Sequence, residues 1–369
     1  MTGSDTLFFV AKCLTLGCCP ERIEAVREII RSGSVEWEKV VWTSTSEFVF
    51  PALYLQLQRA GLLDELPADL VEYMEDVTSL NREHNRQIIA QAHEITAILN
   101  KEGLFPIFLK GTAHLLDGLY QDIAERMVGD IDFLVDEKVM ERAAELLIAT
   151  GYRPLLVYNP KDRAVTKHYP RMVHDHRTAA VEIHRQLLVY PSSKVIDIND
   201  FILNNRKLDQ PGSMFVLCDQ HQIIHNILNV QVNDHAYYYG SLYLRQSYDL
   251  LLLSQRDNPL KVVKDFGKYF HLMNGNLAIN SIAQDHPGYI TCEPDWQSRL
   301  FIRRVKRNIN HPRWERFSFS IGYFGIWISN YVRVLVRSTY DKDTRSSLFV
   351  RLINPKWYAY HFRRFHEEF

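Results

Sequence analysis

Apolar and polar positions alternate with period two over Met127–Val135, the signature of a half-buried strand. Ile131, Phe133 and Val135 fall on one face, Asp130 and Asp132 on the other. The alternation returns over Ala179–His184, where Glu182 and His184 lie opposite Val181 and Ile183. Phe105–Leu109 is a continuous apolar run of the kind buried strands show; it ends in Lys110-Gly111-Thr112, and Ala113–Tyr120 resumes helical spacing. Most of the remaining pattern predicts helix. Glu21–Arg31, Pro51–Arg59 and a long polar-rich stretch, Leu70–Leu99, fill the first hundred residues, the last entered through Pro67 and stopped near Gly103. Glu137–Thr150 is an amphipathic helix closed by Gly151. Lys161–His176 is basic and carries histidines, as strands and a loop beside the carboxylates would. From about Asn199 the chain reads as helical throughout, with Phe215–Val230 as one helix.

Composition adds two constraints. With 369 residues, 46% hydrophobic and 24% charged, the chain is long enough for two or three packed units and is globular in class. The formal net charge of −1 hides an asymmetry, because from Arg299 onward fifteen Lys/Arg stand against five Asp/Glu, leaving about −11 on the rest. Such a tail either meets an anionic partner or lines solvated helix faces. Five cysteines without a Cys-x-x-Cys pair fit a reduced cytoplasmic protein. The N-terminus lacks a basic leader, and the uncharged, aromatic-rich Phe317–Val332 is shorter than the roughly 20 apolar residues of a spanning helix. It is expected to be a buried helix and not a membrane anchor.

Same-face side chains two apart on a strand stand roughly 7 Å from each other. Asp130 and Asp132 are therefore placed to hold a divalent cation, and Glu182 on a neighbouring strand supplies a third carboxylate. A strand, a Gly-containing turn at Gly111 and a helix N-terminus form a cradle for phosphate, or else only a tight connection. On the long helix, Asn81, Arg82, Asn85 and Arg86 share parts of one face and either reach toward a phosphate or stay solvated. His221 and His225 are four apart, but Gln222 stands where a zinc protease needs Glu, which leaves packing or hydrogen bonding as their expected role. Asp249, an acid inside an apolar helix, calls for a partner such as Arg245 or His225, or else faces the site. No Gly-x-Gly-x-x-Gly follows a strand and no Gly-x-Ser-x-Gly occurs, against dinucleotide oxidoreductases and serine hydrolases.

Leu109–Thr112, Arg126 with Gly129–Val135, and Val181–His184 together resemble the largely uncharacterised bacterial nucleotidyltransferases of the DNA polymerase beta-type superfamily. The resemblance spans roughly residues 20 to 290. It implies an α+β fold, a small mixed β-sheet core at 103–198 between a helical region at 1–102 and a helical region with a basic tail at 199–369. It also implies transfer of a nucleoside monophosphate from an NTP of unspecified base to a hydroxyl acceptor, with release of pyrophosphate. Asp130, Asp132 and Glu182 would then be the catalytic carboxylates and ligands of Mg²⁺ or Mn²⁺, and Gly111-Thr112 the phosphate turn, where many relatives have Gly-Ser. Lys110, Arg126, Gly129 and His184 would complete the nucleotide site. The acceptor could be a protein, an RNA, a metabolite or a saccharide precursor. Two other classes remain open: a noncatalytic nucleotide-binding scaffold, and a nucleic-acid-binding protein using the basic tail, whose Trp314, Phe317, Phe319, Tyr323, Trp357 and Tyr358 are interleaved with cations.

Overall fold

The structure, a computed structural model, describes residues 3–158, 166–190, 192–285, 293–342, 345 and 348. Four helices come first: α1 (Gly3–Cys13), α2 (Ile23–Arg31), α3 (Trp37–Ser46) and α4 (Phe50–Arg59). The 33-residue α5 (Ala68–Asn100) follows, with Pro67 fixing its entry and Gly103, at φ +70°, turning the chain after its end. Then come β1 (Ile107–Phe108), α6 (Lys110–Leu116), β2 (Asp130–Leu134), α7 (Met140–Ala149), β3 (Arg153–Pro154), β4 (Met172–Val173) and β5 (Ala180–His184). The region after Asn199 is not wholly helical. Between α8 (Ile198–Leu203) and α9 (Asp219–Leu228) lie β6 (Asn205–Lys207) and β7 (Phe215–Leu217), so Phe215 opens a strand where a helix was expected. The chain continues through a π-turn at Asn229–Asn233 into α10 (Ala236–Tyr239), α11 (Leu244–Arg256), α12 (Pro259–Val263), α13 (Phe270–Gln284), α14 (Trp296–Asn310) and α15 (Pro312–Tyr340).

The seven strands of the described residues form one mixed sheet in the order β3-β4-β5-β2-β1-β7-β6. β2 and β5 are parallel, and their register sets Asp132 opposite Glu182 and Leu134 opposite His184. Ile131, Phe133, Val181 and Ile183 alternate with those polar residues and are fully buried, which pins the register, since a one-residue slip would turn them outward. β1 runs antiparallel to β2 and parallel to β7, so a strand from beyond residue 198 completes the sheet on that side. The buried apolar residues form one continuous cluster from Phe9 to Val305.

Phe317–Val332 is not a buried helix. It lies within α15, which packs on α10 and α14 along one side while Phe317, Ile321, Phe324, Ile328 and Val332 stay exposed. By length and composition alone, Arg313–Tyr340 is long and apolar enough to cross a membrane. Cys13, Cys18, Cys19 and Cys218 are free thiols. Cys292, Trp357, Tyr358 and residues 161–165 of the basic His-bearing stretch lie outside the described residues.

Candidate active site

The β2–β5 pairing assembles the acidic cluster. One ligand atom from each of Asp132, Glu182 and His184 lies within 4.8 Å of the other two. His184 Nε2 is 2.8 Å from Asp132 Oδ1 and 3.4 Å from Glu182 Oε2, so it bridges the two carboxylates. Lys110 Nζ donates to the same Asp132 oxygen at 2.7 Å. Burial alone would raise the Asp132 carboxyl, but Lys110 and His184 hold it well below the usual carboxylate range. Glu182 behaves alike: burial opposes its charge, and the His184 hydrogen bond keeps its pKa low. Asp130 stands apart in partner and in sign. Arg171 donates to its carboxylate, yet burial and the neighbouring Asp132 and Glu182 push its pKa up.

The turn before α6 is built differently from the glycine turn that its sequence predicts. The left-handed residue is Lys110, at φ +53°, a conformation costly for a residue with a Cβ and one that turns its ammonium onto Asp132. Gly111 is needed for another reason: a Cβ there would stand 2.8 Å from Val128 Cγ2. Thr112 is buried, and its hydroxyl donates to the Asp130 carbonyl at 3.0 Å, tying the start of α6 to the start of β2. Gly129 has open space where a Cβ would go.

Arg126 is buried and ion-paired with Asp249 at 3.0 Å, its other donors reaching the Met127 carbonyl at 2.8 Å. Tyr120 donates to Asp249 at 2.6 Å. The partner of Asp249 is therefore Arg126, not Arg245 or His225, and Asp249 also faces the cavity beside the carboxylates, the other role expected of it. The polar face of α5 is spent on the loop that carries Arg126. Asn81 donates to the carbonyls of Ala124 and Arg126, Asn85 to those of Ile123 and Arg126, and Arg82 forks onto Asp122. Arg86 pairs with Glu83 in solvent. These residues position backbone, and no phosphate is needed to explain Asn81, Arg82 and Asn85.

A cavity of about 190 Å³ opens beside the carboxylates. Lys110, Gly111, Arg126, Gly129, Asp130 and Asp132 line one wall, and His225, Asn229, Asp234 and Arg245 stand on the other. Periodicity gives no sign of four groups here. Arg171 comes from beside β4, and His168 sits 3.8 Å from Glu182. Asp234, its pKa raised by burial, faces Lys110, Lys167 and Arg245. Arg245 lies over the Phe48 ring at 4.8 Å with its Nε buried and unpartnered; burial and then Arg126 push its pKa down to about 10. Only the basic, His-bearing character of Lys161–His176 hints at the first two. His225 is buried in the cavity wall, while His221 stacks on Phe201 at 3.9 Å and meets Asp200 at 3.1 Å.

The donor set fits an oxygen-preferring divalent cation: closely spaced carboxylates on rigid strands, with His184 fixing two of them as outer-shell partners do. No curated protein and no solved structure matches the chain. Residues 33–263, more than half of the chain, match the model of a family described as uncharacterised nucleotidyltransferases. That span holds every strand among the described residues and the whole acidic cluster, and the chain belongs to this family of nucleotidyltransferases.

Proposed function

We propose that the protein transfers a nucleoside monophosphate from an NTP to a hydroxyl acceptor with release of pyrophosphate. The observation that carries this is the parallel register that sets Glu182 against Asp132, which with Asp130 lines a cavity shared with Lys110, Arg126 and Arg245. Asp130, Asp132 and Glu182 would hold Mg²⁺ or Mn²⁺, which when bound supplies Lewis-acid stabilisation of charge on the reacting oxygens. The remaining work falls to side chains. Lys110 and Arg245 provide fixed positive charge in a low-dielectric pocket, where it counts for more than in water. Arg126 cannot leave Asp249 without exposing a buried acid, so it acts as part of the wall and steadies the field. His184 orients Asp132 and Glu182, and Glu182 is kept ionised to face the acceptor. The acceptor oxygen bonds to the α-phosphorus, the bond from that phosphorus to the bridging oxygen breaks, and the acceptor's proton passes to solvent.

Heat flow on titrating each of the four NTPs with Mg²⁺ or Mn²⁺, beside an Asp130→Ala/Asp132→Ala variant, tests the proposal. Metal-dependent binding of an NTP by the wild type, lost in a variant with unchanged circular dichroism, is expected. Absence of binding for all four NTPs would overturn it.

A further inference from the structure

We propose that α15 seats on an anionic lipid surface, independently of the chemistry at the carboxylates. Phe317, Ile321, Phe324, Ile328, Val332 and Leu335 are each between 41% and 58% exposed. Their spacing of three and four places them in one stripe along the helix, about 27 Å long at 1.5 Å per residue. The stripe does not come from a detached helix. On the opposite side a Cβ at Gly322 would stand 2.8 Å from the Tyr239 ring, Phe319 meets that ring at 4.5 Å between centroids, and Ser318 donates to Asn308 at 3.1 Å. One side of α15 is thus committed to the body, and on the other the six stripe residues are exposed among the described residues.

Charge selects the occupant. No acidic residue occurs from Arg316 to Tyr340, and the arginines near the ends of the stripe, Arg313 and Arg316 before it and Arg333 and Arg337 at its far end, outnumber Glu315 and Asp341, the latter paired with Arg337 at 2.9 Å. A second copy pairing stripe to stripe would bring no counter-charge to the arginines beside the stripe, whereas an anionic bilayer supplies one along its whole length. A nucleic acid would satisfy the arginines but leave the aliphatic part of the stripe in water. Beside the stripe, α15 and the body enclose a groove of about 880 Å³ with apolar walls, bordered by Arg304, Arg307, Arg333 and Arg337. Arg307 lies 4.7 Å over Trp314 and donates to Ser318 at 3.0 Å, and Arg337 lies 5.4 Å over Tyr190 and pairs with Asp341 at 2.9 Å, which holds both heads at the groove's edge. Apolar interior and cationic rim suit an amphiphile with an anionic head. A helix with one side committed to the body lies along the membrane surface, with its apolar face in the headgroup and acyl boundary.

The test is flotation of the full chain with vesicles of phosphatidylcholine alone and of phosphatidylcholine mixed with phosphatidylglycerol, with light scattering and an RNA mobility shift in parallel. Expected are flotation with the anionic vesicles, its loss at high salt, and binding weakened about 10-fold or more in Phe324→Glu/Ile328→Glu. Those side chains are exposed, and an unchanged melting curve shows the variant folded; Arg333→Gln, which leaves the stripe intact, should weaken only the dependence on phosphatidylglycerol. Failure to float with anionic vesicles, or equal flotation by the double variant, would overturn the proposal. So would a wild-type dimer that the double variant dissociates, or RNA binding that the variant loses while vesicles are ignored.

Discussion

Glu125 and Asp132 are both buried carboxylates with cationic partners, a few residues apart in the chain, yet they are set in opposite ways. Glu125 accepts from Arg59 at 2.6 Å, from the Tyr248 hydroxyl and from the Asp122 N–H, and Tyr248 in turn accepts from Gln56. Next to it, Arg126 and Tyr120 close around Asp249. No group of this network is left waiting for a partner. Asp132 instead sits on a cavity wall, shares one oxygen between Lys110 and His184, and has two further carboxylates beside it. Asp130, whose pKa is raised by burial and by Asp132 and Glu182, carries the cost of gathering these charges, and a bound cation would relieve it. A closed ion network holds a loop in place, and an open one waits for a ligand.

The largest effect expected from this contrast is on turnover. Asp132→Asn and Glu182→Gln each keep side-chain volume and an acceptor for His184, and should lower nucleotidyl transfer by about 10³-fold or more. The melting midpoint of Glu182→Gln should stay within about 2–4 °C of wild type, and Asp132→Asn, which leaves Lys110 an amide oxygen to donate to, should lose less than Asp249→Ala. A variant that melts much earlier would show Asp132 to be structural, like Glu125. The closed network predicts the reverse split. Asp249→Ala removes the acid paired with Arg126 and should cost about 3–5 kcal/mol in urea unfolding. An Asp249→Ala protein of wild-type stability would erase the distinction between the clusters.

How much of this is legible in the sequence depends on whether the signal is local. Asp130, Asp132, Glu182 and His184 follow from period-two alternation, because a strand's own pleat decides which side chains share a face. The long α5 is legible through its Pro67 entry and its Gly103 exit. β6 and β7 are three residues each, too short for a period to show, and their place in the sheet rests on pairing with distant partners. The Lys110 turn is hidden because glycine is the usual bearer of positive φ, whereas Gly111 is there for contact with Val128. Arg171 on Asp130 and Arg126 on Asp249 join segments far apart in the chain, which spacing cannot encode. The exposed α15 shows a further limit: an uncharged aromatic run reports apolarity, not what covers it.

The loop carrying Arg126 is where the closed network meets the open site, and Asn85 is its clamp. The side chain is fully buried, and its amide donates to the Ile123 and Arg126 carbonyls at 2.6 and 2.7 Å. Asn85→Ala takes the donor from the Ile123 carbonyl and leaves the Arg126 carbonyl with Asn81 alone, and should cost about 1–2 kcal/mol in urea unfolding. Transfer measured where the variant is folded should fall as well, since Gly129 and Asp130 continue from that loop. Lost stability with untouched kinetics would separate the two clusters more sharply than the structure does.

Glu47 is an intermediate case that tests the same logic through pH. It accepts from the Leu244 N–H at 2.8 Å and has no ion pair among the described residues. Burial pushes its pKa up from 4.5 to about 7, the Leu244 hydrogen bond only partly opposing this. Below pH 4.5 the carboxyl is neutral in both folded and unfolded chains. Between 4.5 and 7 the unfolded chain ionises while the folded one holds its proton, so this stability is lost as pH rises through 7. Full conversion of the shift would overstate the loss for a side chain that keeps some solvent contact, and about 1–2 kcal/mol is expected at pH 8. Glu47→Gln copies the neutral form and should be more stable than wild type at pH 8 by that amount, with the two curves converging near pH 4.5. A variant no more stable at pH 8 would mean that the carboxylate finds compensation when folded, as Glu125 does, and that a buried acid here needs no ligand to be at rest.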